Sequence, residues 1–262
     1  MIKNIILVII IVGAAILVYI YMKKDTGEMK NVEMLAKKGM AVIGEDIVYF
    51  GNVRGFYAYP EKEGEYPGVV MIHEWWGLND NIKDMAKELA KEGYRVLAVN
   101  LFGKVATTPD EARAQTATLN QAKVLENLKA AANFLRQAGA SKVASLGWCF
   151  GGRQSVELAI SGAKLDATVV YYGSGLATTV DKLKPIKWPV LGIFGSKDQS
   201  IPTETVRTFE LSLNTLGIKN EIYIYPGVGH AFANPSGMNY APEETKDAWA
   251  KTLAFLKKSM IK

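Results

Sequence analysis

The hexapeptide Gly147-Trp148-Cys149-Phe150-Gly151-Gly152 constrains this chain more than any other stretch. It ends the apolar run Lys142–Gly147, which reads as a short buried strand, and leads straight into Phe150–Ser161, which reads as a helix. Glycines two residues before and two residues after Cys149 point to a strand-to-helix turn so tight that side chains at those positions would clash. The apex residue is then held in strained backbone at a helix N-terminus, where the dipole and free N–H groups favour a thiolate. Cys149 is the sole cysteine, so the chain makes no intramolecular disulfide and no thiolate metal cluster. A lone cysteine is ordinarily a small buried hydrophobe; its place at this turn argues for a reactive one.

Around the turn the chain alternates between strand-like and helix-like segments. Ile47–Phe50 and Val53–Tyr59 read as a hairpin turning at Gly51-Asn52. Further strands are expected at Gly68–His73, Arg95–Asn100, Ala167–Tyr172, Val190–Gly195 and Glu221–Tyr225. Helices are expected at Ile82–Glu92, within Pro109–Gly139, at Pro202–Leu216 and at Pro242–Lys258. Gly93 stops the first, and Thr108 with Pro109 starts the second. The alternation implies an α/β domain over residues 45–262, with a mostly parallel sheet covered by helices on both faces. Chemistry in such sheets sits at the carboxyl ends of the strands. The formal charge of +5 is scattered, without a basic stripe interleaved with aromatics, so nucleic acid is not an expected partner.

The first 24 residues differ. Ile5–Met22 carries no charge and is near the shorter end of what spans a bilayer as a helix. Tyr19 and Tyr21 occupy interfacial positions, and Lys23-Lys24 close the run. It ends in bulky residues without a small-x-small cleavage site, which favours an uncleaved single-pass anchor over a signal peptide. Residues 25–44 then form a lysine-rich linker. Lysines at 23, 24, 30, 37 and 38 place the α/β domain in the cytoplasm by the positive-inside rule, although N-terminal signal anchors commonly export the domain behind them; the side stays open.

The turn is the G-x-S-x-G elbow of the α/β-hydrolase fold with cysteine in the serine position. That fold demands, in order, an acid after a later strand and a histidine last. Of the two histidines, His73 precedes the elbow, which leaves His230 on the loop after Glu221–Tyr225. Asp198 directly follows the strand Val190–Phe194; Asp166 lies at the wrong end of its strand, and Asp181 sits in a lysine-rich surface stretch. Acyl transfer needs two N–H donors for the oxyanion. Phe150 supplies one, and the loop His73-Glu74-Trp75-Trp76-Gly77 occupies the place of the other. His73 is expected to brace this loop. Trp75 and Trp76 either wall a pocket or cap the core. Glu74 is either a solvated loop residue or a partner of the Cys149 thiol that controls its protonation.

His73-Glu74-Trp75-Trp76-Gly77-Leu78, the elbow, Gly195-Ser-Lys-Asp198 and Gly229-His230-Ala-Phe232 together resemble the dienelactone hydrolase family over residues 45–260. The resemblance implies a Cys149–His230–Asp198 triad, a glutamate (Glu74) paired with the resting cysteine, and Trp75 as the second oxyanion amide. Well-known members clamp a substrate carboxylate with two arginines; those positions here are Lys104 and Asn234, which do not reproduce a bidentate clamp. Trp76, Lys104 and Asn234 are therefore candidate pocket residues for another substrate. The expectation is a membrane-anchored hydrolase of small lactones or esters that needs neither cofactor nor metal. A thioesterase or general carboxylesterase is the alternative within catalysis, and a non-catalytic hydrolase-fold binding protein the alternative outside it.

Overall fold

Residues 39–261 are described by a computed structural model. The strands are β1 (Val42–Phe50), β2 (Val53–Pro60), β3 (Gly68–Ile72), β4 (Arg95–Ala98), β5 (Val143–Trp148), β6 (Ala167–Tyr171), β7 (Val190–Gly195) and β8 (Asn220–Tyr225). The helices are α1 (Asp80–Lys91), α2 (Pro109–Ala117), α3 (Gln121–Gln137), α4 (Phe150–Ile160), α5 (Val180–Leu183), α6 (Thr203–Thr215) and α7 (Pro242–Met260). One sheet runs in the order β1-β2-β4-β3-β5-β6-β7-β8. The β1–β2 and β2–β4 pairs are antiparallel and all the others parallel.

The central strands β3, β5, β6 and β7 are buried at every residue, which explains their unbroken apolar runs. Helices are started by local chemistry: Asn79, Thr108 and Asn120 each accept a first-turn N–H at the head of α1, α2 and α3. The parallel pairing lines up the carboxyl ends of β3 to β8 along one edge. The loops after β3, the elbow after β5, and the loops after β7 and β8 all emerge there, so four separate motifs meet in space.

Two expectations need revision. The first strand begins at Val42 rather than Ile47, because Val42 to Ile47 continue the ladder opposite Pro60 to Gly55. Residues 42–44 thus belong to the sheet and not to the linker. Gly44, Glu45 and Asp46 carry no strand-like hydrophobic signal, and only cross-strand hydrogen bonding recruits them. The four-residue α5 lies in the lysine-rich stretch around Asp181, which had no helical reading. The expected anchor at residues 5–22 and most of the linker lie outside the described residues. Among the described residues no helix is long and apolar enough to cross a membrane.

Candidate active site

The elbow meets the steric demand that its glycines imply. A Cβ on Gly147 would lie 2.1 Å from the carbonyl oxygen of Gly151, and one on Gly151 would lie 2.2 Å from that of Ile72. Both obstacles are backbone and cannot swing aside. Cys149 sits between them at φ 53, ψ −116, a conformation costly for a side-chain-bearing residue. It is fixed by its own N–H, which donates to Tyr171 O at 3.0 Å, and by its carbonyl, which accepts from Arg153 N at 3.1 Å. Among the described residues the other two non-glycine positions with positive φ, Tyr172 and Ala231, also flank the site, so backbone strain is concentrated there.

His230 joins the elbow to the loop after β7. Its Nε2 lies 3.1 Å from Cys149 Sγ and its Nδ1 2.8 Å from Asp198 Oδ2. A carboxylate can only accept, so Nδ1 carries hydrogen and Nε2 faces the sulfur. The Asp198 side chain is fully buried, and its Oδ1 accepts the N–H groups of Ser200 and Ile201 at 2.8 and 3.1 Å. Asp198 is thereby held in place independently of the histidine. Burial pulls the His230 pKa down, but the hydrogen bonds and charges of Asp198 and Cys149 outweigh it and lift the value to about 10. Asp198 and Cys149 together thus favour the charged form of the imidazole. Tyr172, buried at the end of β6, packs edge-on against His230 with ring centroids 5.3 Å apart.

On the other side stands the loop after β3. Leu101 N donates to His73 Nε2 at 3.1 Å, which leaves Nδ1 to donate to Glu74 O at 2.6 Å. Burial lowers the His73 pKa to about 4, so this histidine is a neutral brace, as expected. Gly77 N closes a turn onto Glu74 O at 3.2 Å, and Gln115 Nε2 donates to Trp75 O at 2.6 Å. Neither the Trp75 nor the Phe150 N–H donates to an acceptor among the described residues. Both peptide donors therefore remain available. Trp75 and Trp76 are half-buried with ring centroids 5.1 Å apart.

Glu74 is not a solvated loop residue. It is 5% exposed. Its Oε2 accepts from Asn234 Nδ2 at 2.5 Å, while Oε1 is buried with no hydrogen-bond partner among the described residues. Asn234 Oδ1 takes Ser236 N at 2.9 Å, which orients the amide with its NH2 toward the carboxyl. Burial raises the Glu74 pKa to about 7, against the opposing attraction of His230 and the Asn234 hydrogen bond. The expected Glu74–thiol contact is not made in this structure: the sulfur faces His230. Asn234, expected in the substrate pocket, is buried and committed to Glu74. Lys104 is exposed on the loop after β4. Sequence reasoning missed Tyr172, although its position at a strand's carboxyl end marked it for attention. It also missed Gln115, a helix residue with no signal of its own.

A strand–elbow–helix turn at the carboxyl edge of a mostly parallel sheet, with a histidine between a cysteine and an aspartate, is the arrangement of the α/β-hydrolase fold. Residues 53–260 match the dienelactone hydrolase family, and the chain belongs to it. It is 32% identical over 249 residues to a Saccharolobus solfataricus protein provisionally named carboxymethylenebutenolidase, covering 79% of this chain and 94% of that one. It is 34% identical over 218 residues to "Protein usf" of Aquifex pyrophilus, covering 79% and 93%. A crystal structure of a provisionally assigned dienelactone hydrolase from Klebsiella pneumoniae superposes with TM-score 0.76 at 28% identity, covering 83% of this chain and 99% of that one. The dienelactone hydrolase-like promiscuous phosphotriesterase P91, from metagenomic libraries, superposes with TM-score 0.75 at 26% identity, covering 84% and 99%.

Proposed function

We propose that the protein hydrolyses lactone or ester bonds through a Cys149–His230–Asp198 triad. The observation that carries this is His230, which reaches Cys149 Sγ and Asp198 Oδ2 at once. His230 takes the thiol proton, and Cys149 Sγ attacks the carbonyl carbon. The displaced electron pair settles on the oxygen, which the Trp75 and Phe150 amides receive. As the intermediate collapses, the leaving alkoxide takes the proton from His230. Water, deprotonated by the same imidazole, then cleaves the thioester and restores the thiol. Asp198 holds the tautomer and offsets the imidazolium charge throughout. Glu74 acts on the thiol through His230: its carboxylate favours the imidazolium and hence the thiolate, and its protonation withdraws that support.

The test is Cys149→Ala, expected to lower kcat/KM on p-nitrophenyl and lactone substrates by roughly a thousandfold or more. Full turnover by that variant would remove the mechanism. Residues 5–22 are further proposed to anchor the protein to a membrane, supported by their uncharged length and lysine flank.

A further inference from the structure

Beside the site, and outside it, lies a cleft of about 830 Å3. It opens between the β1–β2 turn, the loop after β4 and the start of α3. Its lining contains Arg54 and Lys123 but no aspartate or glutamate. Both cations are exposed, and neither pairs with an acid among the described residues. The N-terminus of the 17-residue α3 adds positive potential to the same wall, and its first turn carries no acid. Leu101, Phe102 and Leu119 add apolar surface to the lining.

Hydrogen bonds tie the lining residues Asn100 and Asn127 to the strand beside them. Tyr49 OH donates to Asn127 Oδ1 at 2.5 Å and accepts from Asn100 N at 3.2 Å. Asn127 Nδ2 donates to Asn100 O at 3.1 Å, and Asn100 Oδ1 receives Gly103 N at 2.9 Å. A strand, a helix and a loop are thus locked together, and the network has no role in the triad. A cleft of this size, preformed and mixed in polarity, has the character of a small-molecule site.

Its position relates it to the chemistry. The Phe102 ring lies 5.2 Å from that of Phe150 and 5.0 Å from that of His73. Phe150 is the residue next to Cys149, so an aromatic ledge joins the elbow to the cleft. From β5 to β2 there are three strand spacings, on the order of 14 Å. Resting on the hydrolase reading above, we propose that this cleft is a distal anion subsite. It takes the carboxylate or phosphate end of an elongated ester whose apolar body lies along Phe150 and Phe102. Arg54 and Lys123 are the specificity residues. They are separate from Lys104 and from Asn234, which Glu74 occupies.

The measurement is a selectivity ratio. Mono-p-nitrophenyl sebacate ends in a carboxylate about where the cleft lies, and methyl p-nitrophenyl sebacate has the same length without the charge. Release of p-nitrophenol from the two gives kcat/KM for each. The wild-type protein should prefer the anionic ester, and a p-nitrophenyl decanoate bearing an ω-phosphate tests the other anion. In Arg54→Ala/Lys123→Ala the anionic-to-neutral ratio should fall at least tenfold, and Arg54→Glu should lower it further. Both positions are exposed, so the variants should fold. A wild-type ratio near one for both anions, or a ratio unmoved in the double variant, overturns the proposal. Sebacate binding to Cys149→Ala, measured by calorimetry with and without the Arg54 and Lys123 substitutions, separates the two readings. Binding that depends on these cations in a protein that hydrolyses no ester would sink the hydrolase reading and keep the subsite. Ester hydrolysis with no cation-dependent binding would do the reverse.

Discussion

Glu74 is the buried acid of the candidate site, and the role proposed for it runs through His230. Its folded pKa of about 7 lies above the unfolded value of 4.5, so the folded state holds this proton more tightly. Stability is untouched by Glu74 below pH 4.5 and declines as pH rises from there through 7. Glu74→Gln removes the decline. The variant should gain on the order of 3 kcal/mol over wild type at pH 8 and little at pH 4.5. Urea unfolding at both pH values reads this directly, and an equal gap at the two would refute it. The same substitution withdraws a negative charge from His230, so Cys149 should react more slowly with iodoacetamide near pH 7. An unchanged pH profile for alkylation would reduce Glu74 to a loop residue. Cys149, Asp198 and His230 were legible because chain order and strand ends leave few candidates. The partners of Glu74 were not: Asn234 stands 160 positions away, and which of two nearby groups a buried carboxyl meets is settled by side-chain packing.

At the scale of elements, the elbow depends on β5 entering α4 without a loop. Gly147 is the residue on which that passage rests, since any side chain there meets the Gly151 carbonyl at 2.1 Å. Gly147→Ala should cost about 3 kcal/mol or more or prevent folding, because the obstacle is the Gly151–Gly152 backbone. Thermal unfolding would show it, and a melting temperature within a degree or two of wild type would contradict it. Central elements were easier to read than peripheral ones. A strand buried on both faces must be apolar throughout, as β3 is. The edge strand β1 is exposed at Glu45 and Asp46, and its first residues are strand only because β2 lies alongside.

At the scale of the whole molecule, the sheet begins among the described residues at Val42, just after Met40 N donates to Lys91 O. A chain from Met40 to Lys262 should therefore fold and retain esterase turnover close to that of the full chain. The full chain, by contrast, should sediment with membranes and be released by detergent but not by high salt. Fractionation of the two forms checks both statements, and an equally soluble full chain would remove the anchor.

The sequence by itself determined the fold class, the reaction class and the three residues proposed for the relay. Each comes from rules that act along the chain: apolar periodicity, glycine where backbone approaches backbone, and the order in which strand ends deliver an acid and a histidine. Only the tertiary structure decided that Asn234 holds Glu74, that the thiol faces His230, and that Arg54 and Lys123 share a cleft. These outcomes come from packing between segments far apart in the chain. Hydrogen-bond distances and desolvation are set there, and neither leaves a mark on local sequence.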